Sequence, residues 1–68
     1  MNLKNGDDSH LKNMAREYAL AVRNEKSNTR SRIRSKLISI VNKYPKATQS
    51  SIGTYFTRLV HGELRRLS

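Results

Sequence analysis

The chain has 68 residues, no cysteine and a formal net charge of +9. A domain this short buries only about 60% of the surface its unfolded form exposes. Without cysteine it has no disulfide staple, and two histidines alone cannot complete a tetrahedral zinc site, so neither cofactor nor metal is expected. The longest uncharged run, 47–57, is rich in Ser and Thr and far short of the roughly 20 apolar residues that a membrane-spanning helix needs.

The charge is unevenly placed. In residues 1–25, Lys4, Lys12, Arg16 and Arg23 balance Asp7, Asp8, Glu17 and Glu25. From Lys26 onward ten basic residues face a single acid, Glu63, so the whole +9 resides there. A surface of this kind attracts polyanions, because each Lys or Arg laid on a phosphate backbone releases condensed counterions. Nucleic acid is the default partner. Residues 1–8 lack the apolar core of a signal peptide, which points to a cytoplasmic, nucleoid-associated or viral protein.

The pattern predicts one all-α domain over residues 1–68: a flexible start at 1–7, helices at about 8–25, 30–44 and 48–61, and a short C-terminal segment at 62–68. Asp7, Asp8 and Ser9 offer N-caps to the first helix. Leu11, Met14, Tyr18 and Val22 follow at i, i+3, i+7 and i+11, while Leu20 falls on the far side as a second contact surface. In the second helix, with Asn28 or Thr29 as its cap, Ile33, Leu37, Ile40, Val41 and Tyr44 close an apolar face and Pro45 stops it. At about 100° per residue, Arg32, Lys36 and Lys43 lie along one border of that face, and Arg30 and Arg34 along the other. The third helix takes Thr48 as its cap, carries Ile52, Tyr55, Phe56, Leu59 and Val60 on its apolar side, and is expected to end or bend at Gly62. A core this thin leaves self-association as a further route to burial, so a homodimer is expected.

The polar side of the third helix holds Gln49, Ser50, Ser51, Thr54 and Arg58, together with Thr57 and His61. Short hydroxyl side chains let a helix backbone come close to a groove, and Gln and Arg can reach base edges. The phosphate contacts expected on this reading are Arg30, Arg32, Arg34, Lys36, Lys43 and Lys46. Gln49, Ser50, Ser51, Thr54 and Arg58 form the base-reading helix. The run Ala47-Thr48-Gln49-Ser50-Ser51-Ile52-Gly53-Thr54-Tyr55-Phe56 resembles the T-Q-x-x-I-(A/G)-x-x-(F/L) stretch of bacterial helix-turn-helix and winged-helix DNA-binding domains. In those families it is usually the supporting helix, and here no turn and second helix of full length follow it. A second register makes helix 2 the support, 45–47 the turn and helix 3 the reader. It implies a three-helix domain with a helix-turn-helix-like arrangement of helices 2 and 3.

Tyr18, Tyr44 and Tyr55 sit on apolar stripes and are expected in the core, with their hydroxyls at its edge. His10 and His61 have no Cys, Asp or Ser partner at a catalytic spacing, and no paired carboxylates stand together, so the chain does not read as an enzyme. The sequence expectation is a small basic protein that binds double-stranded DNA as a transcriptional regulator or architectural accessory, with its cations on one continuous face. Two other readings use the same charge: an RNA- or ribosome-binding protein, since basic helices also bind RNA by shape, and an antagonist that blocks an acidic surface of a larger protein.

Overall fold

The computed structural model describes residues 3, 4 and 6–68. It consists of three helices, α1 (Asp7–Arg23), α2 (Ser27–Val41) and α3 (Lys46–Leu67), with no strand among the described residues. The core is built from Leu11, Met14, Ala15 and Ala19 of α1, Ile33 of α2, Tyr44, and Ile52, Phe56 and Val60 of α3. Helices α1 and α3 share the largest contact, α2 packs on α1, and α2 touches α3 least. Tyr18 of α1 meets Phe56 of α3 edge to face at 5.9 Å, the favoured geometry for aromatic rings.

Helix α1 starts one residue earlier than its pattern suggests, and Gly6 is its N-cap, at φ +89°. Only glycine adopts that left-handed conformation without a steric cost. The expected caps are thereby corrected: Asp7 and Asp8 lie in the first turn, and Ser9 is exposed within the helix. The helix ends at Arg23 in a Schellman motif with no glycine. Glu25 takes φ +56°, its N–H donates to the Val22 carbonyl, and the Lys26 N–H reaches back to Ala21 at 2.8 Å.

That tight closure lets α2 begin at Ser27, after N-cap Lys26, which displaces the expected caps Asn28 and Thr29 into the helix. At its other end α2 stops at Val41 rather than at Tyr44. Pro45 biases the residue before it toward extended backbone, and the chain unwinds through Lys43 N–H to Ile40 and Tyr44 N–H to Val41 bonds. Tyr44 thus leaves the helix and drives its ring into the core.

Pro45, not Thr48, is the N-cap of α3, its carbonyl accepting from the N–H groups of Thr48 and Gln49. The expected stop at Gly62 is also corrected, since α3 runs on to Leu67. A glycine inside a helix costs about 1 kcal/mol relative to alanine. Here Leu64 and Leu67 pack against the core, and Arg23 donates to the Leu67 carbonyl at 2.6 Å, satisfying one terminal acceptor. The expected flexibility of the N-terminus lies, for Met1, Asn2 and Asn5, outside the described residues. Leu3 packs against the core, and the Lys4 N–H donates to the Tyr44 hydroxyl at 2.9 Å.

Candidate nucleic-acid interface

The two acids in the first turn of α1 are tied to the rest of the fold, while Glu17 is exposed. Asp7 is buried and accepts a hydrogen bond from the Tyr44 hydroxyl, with Lys43 Nζ at 3.4 Å from its other oxygen. Asp8 accepts from the Tyr55 hydroxyl, and Lys12 Nζ stands 3.0 Å from its second oxygen. Hydrogen bonds to the charged form favour ionisation, so both carboxyls titrate below the usual Asp range, Asp7 through Tyr44 and then Lys43, Asp8 through Tyr55 and then Lys12. Tyr44 is pushed above the ordinary phenol value by burial and then by Asp7; Tyr55 rises chiefly through its bond to Asp8. These two Asp–Tyr pairs tie the start of α1 to the α2–α3 connector and to α3. Sequence reasoning missed them, because a first-turn acid serves equally as a cap, and nothing local announces a partner some forty residues away.

The basic residues of α2 have no such partners. Among the described residues, Arg30, Arg32, Arg34 and Lys36 form no ion pair, and neither do Lys46 and Arg58 of α3. Arg32, Arg34, Lys36, Lys46 and Arg58 are exposed, and Arg30 is half-buried with an Nε that lacks a partner. Lys43 differs from the others, being held near Asp7.

Because α2 and α3 barely touch, a cleft of about 290 Å³ opens between them. Tyr18, Leu37 and Phe56 floor it, and Arg34, Thr57 and His61 rim it. Arg34 donates to the Tyr18 hydroxyl at 3.1 Å. On the exposed side of α3, Ser50, Ser51, Thr54 and Arg58 come together around one shallow depression beside Tyr55. Gln49 does not join them: its side-chain amide donates to the Tyr44 carbonyl at 3.0 Å and closes the α2–α3 connector. Lys36 lies on the opposite flank of α2, near His10, Asn13 and Glu17 of α1. The expected single continuous face is thereby corrected: the cations of α2 stand on both of its flanks, Arg34 toward α3 and Lys36 toward α1.

Among the described residues no three His, Cys, Asp or Glu converge as a metal-ligand set, and no helix is long and apolar enough to cross a membrane. No protein-family model, curated protein or solved structure matches the chain.

Proposed function

We propose that this domain binds double-stranded DNA and acts as a transcriptional regulator or an architectural accessory of the nucleoid. One observation carries the reading. Helix α2 places Arg30, Arg32, Arg34 and Lys36 within a span that contains no acid, only Ile33 of that span is fully buried, and among the described residues none of the four cations has a carboxylate partner. Cations that no carboxylate neutralises remain available to phosphates, and the counterions released on contact drive association. Lys46 at the start of α3, with Ser50, Ser51, Thr54 and Arg58 along its exposed side, adds cations and hydroxyls that suit phosphate oxygens. The helix-turn-helix-like reading takes the 42–45 connector as the turn between α2 and α3, the two helices that touch each other least.

Competition separates DNA from RNA. A labelled DNA duplex held by the protein at fixed salt should resist displacement by RNA hairpins, whose deep major groove side chains cannot enter. Hairpins that displace the duplex at equal or lower concentration would move the function to RNA. Capture of a protein partner that survives nuclease treatment, with no duplex binding at low salt, would support the antagonist instead.

A further inference from the structure

Helix α2 divides into three sectors. Ile33 is buried, and Leu37 and Ile40 pack against the core. At about 100° per residue, Arg30 and Arg34 fall on one border of that apolar face, and Arg32 and Lys36 on the other. The cleft beside Phe56 fixes the Arg34 border as the one toward α3, and the depression beside His10 and Glu17 fixes the Lys36 border as the one toward α1. Between the two borders, pointing away from the core, lie Ser31, Ser35 and Ile38, all exposed. Cations thus bracket the outward face of α2 without covering it.

This distribution has a geometric counterpart. A helix with its side chains is about 10–12 Å across, and the major groove of B-form DNA is about 12 Å wide with a phosphate strand on each side. Long cationic side chains on both flanks reach the two strands, and small groups at the centre let the backbone approach the base edges. Ile38 is 53% exposed, although it is a large apolar residue on an otherwise polar surface. The thymine methyl is the apolar group that the major groove displays. Helix α3 lacks this bracketing. Arg58 is its lone cation between Lys46 and Arg65, and Gln49 is occupied by the connector.

Resting on the DNA-binding reading, we propose that α2, and not α3, enters the major groove, with its flanking cations on the phosphates of both strands and Ser31, Ser35 and Ile38 against the base edges. Helix α3 then contributes Ser50, Ser51, Thr54 and Arg58 from outside that groove.

Bulky substitutions at exposed positions distinguish the two helices. The full chain and its variants Ser31→Phe, Ser35→Phe and Thr54→Phe are titrated with a short mixed-sequence duplex at fixed salt, and helical circular dichroism on heating verifies that each folds. Ser31→Phe and Ser35→Phe are expected to weaken binding about tenfold or more, and Thr54→Phe by less than about threefold. A wild-type protein that binds while only Thr54→Phe is impaired, or while all three variants match it, overturns the assignment to α2 and leaves DNA binding standing. A wild-type protein that does not bind overturns both. Alternating dA–dT and dA–dU duplexes test Ile38 separately. The wild type should prefer thymine by about threefold and Ile38→Ala should lose the preference, as expected for burial of methyl groups; equal wild-type affinity for the two overturns the thymine contact.

Discussion

The Tyr44 hydroxyl donates a hydrogen bond to the Asp7 carboxylate, joining the α2–α3 connector to the first residue of α1. The same phenol oxygen accepts the Lys4 N–H, so one side chain holds three segments of the chain at a single point. Tyr55 and Asp8 repeat the arrangement one residue later on α1.

Acid stability follows from these pairs. Asp7 and Asp8 titrate lower in the folded state than in the unfolded chain, so the unfolded state takes up protons first as the pH falls. Their stabilisation is complete above the unfolded Asp value of about 4 and is lost as the pH drops through the lower folded values. Urea midpoints should therefore be level from neutrality to about pH 5 and decline below it. Asp7→Asn should be less stable at neutral pH and show a shallower acid decline. Tyr44→Phe removes the donor to a buried carboxylate and should have the same two effects.

The alkaline side has the opposite sign. Tyr44 and Tyr55 titrate higher when folded, so their contribution is complete below the unfolded phenol value of about 10 and is lost as the pH rises through the folded values. Ultraviolet titration of phenolate absorbance should show a late phase in step with unfolding that shrinks in Tyr44→Phe and in Tyr55→Phe.

Core truncation should be severe. Ile52 is fully buried in the second turn of α3, and an Ile→Ala change at such a site costs about 2–5 kcal/mol. The total stability expected for a domain of this length is roughly 3–10 kcal/mol, so Ile52→Ala should remove a large part of it and lower the thermal midpoint by at least about 10 °C by circular dichroism. Leu20→Ser, at a 40% exposed position of α1, should change stability by less than about 0.5 kcal/mol.

Two backbone positions offer gains. Glu25 holds φ +56°, where glycine carries no steric penalty, so Glu25→Gly should raise stability by up to about 1 kcal/mol in denaturant titration. Gly62 lies inside α3 with open space where a Cβ would stand, and Gly62→Ala should add about 0.5–1 kcal/mol.

The three helices were legible because Leu11, Met14, Ile33, Ile52 and Phe56 recur at helical spacing, and that spacing survives folding. Their ends were less so. Tyr44 has helical phase in the sequence yet leaves α2, because the tertiary gain of its ring in the core and its bond to Asp7 exceeds that of one more helical turn. Gly62 reads as a stop, but burial of Leu64 and Leu67 carries α3 across it. The Glu25 turn carries no glycine to mark it. On the candidate interface, the wheel placed the α2 cations on two borders, and the structure puts Arg34 and Lys36 on opposite flanks. The inward turn of Gln49 was not legible, since it depends on a carbonyl that is exposed only when α2 unwinds at Tyr44.

Individual cations can be counted. Arg32 is exposed and forms no ion pair among the described residues, so Arg32→Gln should leave the thermal midpoint unchanged and reduce the steepness of log K against log salt by about 0.9 on any duplex sequence.

Binding of duplex DNA across a salt series addresses the whole account most directly. Four to six engaged cations, drawn from Arg30, Arg32, Arg34, Lys36, Lys46 and Arg58, predict a slope of log K against log salt between about −3.5 and −5.5. Absence of binding at low salt, or an affinity that does not change with salt, would contradict it.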